Sequence, residues 1–142
     1  MRIVDVAGDR PVEVLRAGDV AVWVMDSVAF GGPEHAGQVI VTGSHGGRSA
    51  GEYAASYGVA VVVANDAGIG KNAAGLAGLV AVDADGIAGI GVSHESSRIG
   101  DGTDTWEHGV VSFVNRRAAA LGVTLGEPVR TAVARVLDEG GL

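Results

Sequence analysis

Residues that can transfer protons or bind anions are concentrated in three short segments of this sequence. Segment 43–47 holds a hydroxyl and an imidazole between glycines, segment 65–72 holds a carboxylate and the only lysine, and segment 93–105 is almost wholly polar. An imidazole beside a carboxylate suits general acid–base chemistry near neutral pH. The candidate catalytic residues are Ser44, His45, Asp66 and His94. The candidate substrate-binding residues are Asn65, Lys71, Arg98, Gly46, Gly47, Gly70 and Asp101.

These residue types predict a small-molecule enzyme of hydrolase or lyase type that acts on a small carboxylate or carbonyl compound. His45 and His94 would exchange protons with the substrate, and Asp66 or Asp101 would orient one imidazole. Ser44 would serve as nucleophile or as hydrogen-bond donor. Because adjacent side chains point apart on extended backbone, His94 rather than His45 is the expected base for Ser44.

The basic residues predict how a negatively charged substrate would be held. Nine of the ten basic residues are arginine, and Lys71 is the single lysine. Lysine provides a compact donor that can lose its proton when desolvated, which arginine does not. Arg98 can hold a carboxylate or phosphate through two parallel hydrogen bonds. The glycines of 43–47 would allow the backbone to approach the ligand closely.

Several familiar motifs fit poorly. Gly68-x-Gly70-x-x-Ala73 has the form of a dinucleotide fingerprint, but no ribose-binding acid follows at the usual spacing of about 20 residues. A P-loop also fails, since Asn72 stands where Ser or Thr is required. The sequence therefore assigns no cofactor.

Three alternatives remain open beside the enzyme. A non-catalytic module could bind phosphate, a nucleotide or another small anion at the glycine loops, or the chain could be a structural subunit. The third alternative is a divalent-metal site, for which the spacing offers no local motif. Its ligands would be His45, Asp66, His94 and Asp101.

The elements that must position these residues alternate between strands and helices. Apolar, β-branched runs predict strands at 39–42, 59–64 and 87–93, and helices are predicted at 50–57, 73–82, 106–121 and 128–137. Gly58 would end the first helix and Asn72 would cap the second. Asp104, Thr105 and His108 are expected to cap the 106–121 helix or lie on its exposed face. The candidate residues then fall at the carboxyl ends of the strands, where open α/β sheets bind ligands.

This alternation predicts an α/β fold, a small three-layer sandwich with a mainly parallel, doubly wound sheet. Residues 1–37 are expected to add N-terminal strands, at 3–7, 12–15 and 20–25, to the repeated strand–helix units of 38–142. The 142 residues then form a single domain.

The composition excludes several classes of protein. With no cysteine there is no disulfide framework, and a net charge of −7 opposes a nucleic-acid partner. No apolar run reaches the roughly 20 residues that cross a bilayer, and no signal-peptide pattern follows Met1, so we expect a cytoplasmic protein without a membrane partner. Glycine, 24 of 142 residues, predicts tight loops, and the Ala-rich stretch 73–82 predicts a homo-oligomer.

Four segments also carry a resemblance. GSHGG (43–47), NDAGIGKN (65–72), SSRIGDG (96–102) and VSFVN (111–115) resemble segments of a set of small uncharacterised bacterial α/β proteins. The resemblance extends over residues 26 to 126. It implies the same map of the site and brings no activity, substrate or cofactor with it.

Overall fold

A single six-stranded sheet organises the computed structural model, which describes residues 10–142. The strands, numbered β1 to β6, are Val12–Ala17, Val20–Met25, Val39–His45, Val61–Asn65, Ala88–Val92 and Val111–Val114. They lie side by side in chain order. Strands β2 to β5 are parallel, whereas β1 and β6 pair antiparallel with their neighbours. The predicted α/β fold is confirmed, with a mixed sheet that is only partly parallel.

Between residue 10 and the C-terminus, five α-helices connect or follow these strands. They are α1 (Arg48–Tyr57), α2 (Ala77–Ala81), α3 (Gly102–His108), α4 (Arg116–Ala120) and α5 (Val129–Asp138). Short 3-10 turns occupy Val28–Phe30, Pro33–His35, Lys71–Leu76 and Val82–Asp85. Helix α1 ends as predicted at Gly58, which adopts a left-handed conformation with φ of 70°.

Successive residues of the parallel strands belong to two different buried clusters. Val41 belongs to a cluster that includes Val133 of α5, whereas its neighbour Ile40 packs in a cluster with Ala54 of α1 and Leu79 of α2. Since successive strand residues point to opposite faces, both faces of the sheet are buried. This burial explains why the central strands are apolar almost without interruption.

The prediction of one helix over 106–121 is wrong. Helix α3 ends at His108, strand β6 occupies Val111–Val114, and α4 begins after Asn115, whose side chain accepts a hydrogen bond from Ala118 N–H at 3.0 Å. The β-branched residues of this stretch suit a strand, and pairing with β5 supplies the backbone partners. Tertiary pairing therefore makes 111–114 a strand, and the alanines that follow are helical in α4.

The predicted helix over 73–82 is also wrong in its first turn. Asn72 and Ala73 have φ of 56° and 57°, so Asn72 cannot cap a helix there. Regular α-helix begins only at Ala77, where the chain packs tightly against α1: a side chain at Gly78 would lie 2.7 Å from the backbone nitrogen of Gly51. Only a residue without a side chain fits at Gly78.

The N-terminal strands extend the sheet on one side. The runs 12–15 and 20–25 lie in β1 and β2, as predicted, and the predicted strand at 3–7 lies outside the described residues. Within residues 10–142, no helix is long and apolar enough to cross a bilayer.

Candidate functional site

The three polar segments follow neighbouring strands of the sheet. His45 of β3 is paired with Asn65 of β4, and Asn65 is paired with Val92 of β5. The strands are parallel, so their carboxyl ends lie at the same edge. The loops after β4 and β5 consequently place Asp66 and His94 close together, although 27 residues separate them in sequence.

Asp66 and His94 form the most specific arrangement at this edge. The His94 Nδ1 atom lies 3.4 Å from Asp66 Oδ1, and the His94 backbone N–H donates to the same oxygen at 3.1 Å. The Asp66 side chain is 7% exposed, whereas the His94 side chain is 50% exposed. A nearly buried carboxylate therefore faces one nitrogen of an imidazole that solutes can reach. Of the two predicted orienting carboxylates, the structure brings Asp66 to a histidine.

Hydrogen bonds keep Asp66 ionised. Burial by itself raises the pKa of the Asp66 carboxyl, but hydrogen bonds from the Ser112 hydroxyl and from the Gly68 and His94 backbone N–H groups outweigh it. The net pKa of Asp66 therefore lies below its ordinary value. An ionised carboxylate can accept a hydrogen bond from a protonated Nδ1. Nε2 of the imidazole then carries no proton and can act as an acceptor.

Sequence reasoning missed Ser112. Its hydroxyl donates to Asp66 Oδ2 at 2.7 Å from strand β6. The stretch around it was predicted to be helical, and a single serine inside an apolar run carries no signal of its own. The antiparallel pairing of β6 with β5 brings Ser112 to the site.

The first segment presents His45 at the end of β3. His45 is exposed, and its ring lies over Gly47, where a Cβ atom would come within 2.8 Å of ring atoms Cε1 and Nδ1. Gly46 is buried; its N–H donates to the Asn65 carbonyl at 2.8 Å and its carbonyl accepts from Gly78. Both backbone groups of Gly46 thus have protein partners, whereas Gly47 begins α1 without a side-chain cap.

Ser44 lies in β3 beside the 3-10 turn Val28–Phe30. Its Oγ accepts a hydrogen bond from Val28 N–H at 2.9 Å. Within the described part of the chain, no hydrogen bond joins Ser44 to His45 or His94. Ser44 retains a hydroxyl proton that can be donated.

Asn65 holds the second and third segments together. It is fully buried; its Nδ2 donates to the Ser97 carbonyl at 3.1 Å and its Oδ1 accepts from Ala67 N–H at 2.8 Å. The amide therefore joins the two loops and has partners at both ends.

The loop at 67–73 has an unusual backbone. Six of its seven residues have positive φ, and Lys71 is the exception. Four of the six are not glycine, including the β-branched Ile69 at φ of 71°, where L residues are disfavoured. The loop is exposed, Gly70 and Lys71 included, and the Lys71 ammonium has no hydrogen bond or ion pair among residues 10–142. Strained backbone of this kind is concentrated at functional sites.

The third segment is tied to helix α3. Asp101 caps the helix by accepting from Asp104 N–H at 2.9 Å, so the expectation that Asp104 or Thr105 caps it is wrong. The Arg98 backbone N–H donates to Asp104 Oδ2 at 2.8 Å, and Arg98 itself is exposed. His108 lies on the exposed surface as expected, with Nδ1 2.8 Å from Asp104 Oδ1.

The proposed metal ligands are not gathered. Among residues 10–142 no group of three or more His, Asp or Glu side chains is arranged to hold a metal ion. The donors at the edge of the sheet instead form one imidazole–carboxylate pair with a hydroxyl on its far side. Such a pair can take up and release a proton.

Comparisons with known proteins provide no information about the function of this chain. No protein-family model, curated protein or solved structure matches the chain. The chemistry of the Asp66–His94 pair therefore has to be argued from its own contacts.

Proposed function

We propose that this protein is a small-molecule enzyme of hydrolase or lyase type that acts on a small carboxylate or carbonyl compound. The observation that carries the proposal is the 3.4 Å approach of His94 Nδ1 to the nearly buried Asp66 carboxylate. An imidazole nitrogen this close to a carboxylate is the arrangement in which a carboxylate orients a general acid–base. His94 is the proposed general acid–base.

The tautomer of His94 follows from its partner. Because the pKa of Asp66 is lowered, the carboxylate is an acceptor, and the Nδ1 that faces it carries the ring proton. Nε2 is then free to remove a proton from the substrate or from a water molecule. After proton uptake, the imidazolium is stabilised by the adjacent carboxylate.

Positive charge for the substrate would come from the loops on either side. Lys71 and Arg98 are both exposed on loops that follow the carboxyl ends of β4 and β5. Their proposed role is to bind the carboxylate or the polarised carbonyl oxygen of the substrate. A nucleophilic role for Ser44 would need an imidazole nitrogen within about 3 Å, so we assign Ser44 the donor role and His45 a secondary proton-transfer role.

The wider expectations accompany this proposal. We propose a cytoplasmic homo-oligomer with a small-molecule ligand and no nucleic-acid partner, in keeping with the net charge of −7. The scaffold we propose is the three-layer, doubly wound sandwich, shared with the small bacterial α/β proteins that carry the same segments.

A binding module without catalysis is the second candidate. Two observations favour it. The Lys71 ammonium has no partner among residues 10–142, and Gly47, the residue before the ten-residue helix α1, provides no side-chain acceptor for the first N–H groups. Unpaired N–H groups at a helix start attract phosphate or another small anion. In this case the histidines would be dispensable.

The experiment is a turnover screen of the purified full chain. The compounds are short-chain p-nitrophenyl esters and small oxo- and hydroxycarboxylates, and the variants are His94→Ala, Asp66→Asn and His45→Ala/His94→Ala. The matched control is His108→Ala, which removes the other imidazole that faces a carboxylate. We expect His94→Ala to lose about 100-fold or more in turnover and His108→Ala to lose none.

One result would decide against the proposed mechanism, and another against the enzyme itself. Turnover that survives replacement of both His45 and His94 would remove His94 from the mechanism. Tight binding of phosphate or a carboxylate by the wild type, unchanged in His94→Ala and lost in Lys71→Ala, would favour the binding module.

A further inference from the structure

Ser112 contacts the Asp66 carboxylate from the side opposite to His94. It is half-buried in β6, between Val111 and Phe113, which are paired with Val92 and Gly91 of β5. Its hydroxyl donates to Asp66 Oδ2 at 2.7 Å. A residue 46 positions away in sequence thus donates a hydrogen bond to the carboxylate oxygen that does not face His94.

The two carboxylate oxygens have separate partners. Oδ1 accepts from the backbone N–H groups of Gly68 at 2.8 Å and His94 at 3.1 Å, and it is the oxygen that faces His94 Nδ1. Oδ2 is held by Ser112. The two oxygens of an ionised carboxylate are chemically equivalent, so a half-turn changes nothing, but a smaller rotation would lengthen both sets of hydrogen bonds. The Ser112 contact therefore fixes the plane of the carboxylate and the direction from which one oxygen meets the imidazole.

The order of the three groups decides what Ser112 can do. Asp66 lies between Ser112 and His94, so the Ser112 proton is donated to a carboxylate and not to an imidazole. A nucleophilic serine needs the reverse order, with the histidine between the serine and the carboxylate. Ser112 is therefore placed to orient Asp66 and not to attack a substrate.

We propose that Ser112 is a positioning residue that fixes the plane of the Asp66 carboxylate so that its other oxygen faces His94 Nδ1 and the ring proton stays on that nitrogen. Its catalytic meaning rests on the proposed function, but the arrangement can be measured without any substrate. A donor on the far oxygen of an orienting carboxylate restricts the geometry of the whole pair, as outer partners do in other sites.

The test is nuclear magnetic resonance of the full chain labelled with ¹⁵N and ¹³C. Two-bond ¹⁵N–¹H correlations report which His94 nitrogen carries the proton, and the Asp66 carboxyl carbon reports its titration. The variants are Ser112→Ala, which removes the donor, and Ser112→Thr, which keeps it. The matched control is Ser96→Ala, because Ser96 is a half-buried serine that bonds Ser93 and Val110 without touching Asp66.

We expect Ser112→Ala to shift the Asp66 titration to higher pH and to reduce the fraction of His94 with its proton on Nδ1. Ser112→Thr and Ser96→Ala should leave both readouts at wild-type values. If a substrate is found, Ser112→Ala should lower kcat by about tenfold with little change in KM. Should Ser112→Ala fail to fold, Ser112→Cys gives the same readouts with a weaker donor of similar size.

The outcomes separate the two proposals. Unchanged Asp66 titration and His94 tautomer in Ser112→Ala would overturn the role of Ser112 and leave the proposed function standing. A wild-type His94 with its proton on Nε2 would overturn the orientation that both proposals need. The expected spectra without turnover of any compound would count against the enzyme alone.

Discussion

Two histidines face an aspartate in the part of the chain from residue 10 onward, and the two pairs differ in how the fold makes them. His108 and Asp104 are four residues apart on α3, and their side chains are 62% and 26% exposed. His94 and Asp66 come from two loops, and the carboxylate is 7% exposed. The first pair forms wherever the helix forms, whereas the second exists only when β4 and β5 lie side by side.

This difference decides what each pair can do. An exposed pair at i,i+4 is surrounded by water and contributes a few tenths of a kcal/mol. The Asp66 carboxylate accepts hydrogen bonds from three residues and has lost most of its water, so its charge is fixed in position. Preorganised charge of this kind is what proton transfer requires. The shorter distance, 2.8 Å, is therefore found in the exposed His108–Asp104 pair, which is the less suited of the two to proton transfer.

The largest expected contrast is in stability. Asp66→Ala leaves the part-buried donors of Gly68, His94 and Ser112 without their acceptor and should reduce the free energy of unfolding by about 3 kcal/mol. Asp104→Ala removes a carboxylate that is 26% exposed and accepts from the Arg98 backbone N–H, and it should cost about 1 kcal/mol. Urea unfolding of both variants measures the difference. Equal losses would mean that the Asp66 carboxylate contributes no more to stability than the Asp104 carboxylate on the helix.

A second contrast concerns the backbone beside the Asp66–His94 pair. Ala67 has φ of 53°, a conformation that costs a residue with a Cβ atom about 1 kcal/mol or more relative to glycine. Ala67→Gly should therefore leave stability unchanged or raise it by about 1 kcal/mol. The matched control, Ala134→Gly within α5, should lower stability by about 1 kcal/mol. Thermal unfolding of the two variants gives the sign, and a loss in both would remove the argument for strain in 67–73.

The smallest expected contrast is in how stability falls at low pH. The lowered pKa of Asp66 means that its stabilisation is complete above the ordinary carboxyl value of about 4 and is lost as the pH falls through the folded value. Unfolding free energy should thus decline below about pH 4, and Asp66→Asn should show a shallower decline than the wild type. Asp104→Asn should reduce the decline less.

Other carboxyls share this acid response and make the contrast modest. The hydrogen bond from Arg135 lowers the pKa of Glu127 to about 2, so Glu127 contributes to the same decline in every variant. Stability curves from pH 5 to pH 2 for the three proteins check the expectation. A wild-type decline that matches the Asp66→Asn curve would show that the Asp66 carboxylate is not linked to folding.

Much of the fold could be predicted from local pattern. The apolar run at 39–42 lies in β3, and those at 59–64 and 87–93 overlap β4 and β5. Gly58 ends α1 as predicted. Burial on both faces and a left-handed helix end are recognisable in the sequence. The 106–121 stretch was mispredicted because the hydrogen bonds that make 111–114 a strand come from β5. Local propensity does not contain that partner.

The site divides in the same way. The apolar runs of the sequence predict that Asp66 and His94 follow buried strands. That His108 lies one helical turn from Asp104 was not predicted, because α3 begins at Gly102 and not at 106. The fold, in turn, brings Asp66 rather than Asp101 to an imidazole, places Ser112 on its second oxygen and buries Asn65 between two loops. Those contacts join residues 28 or more positions apart, and strand order and register, which the sequence leaves open, bring them together.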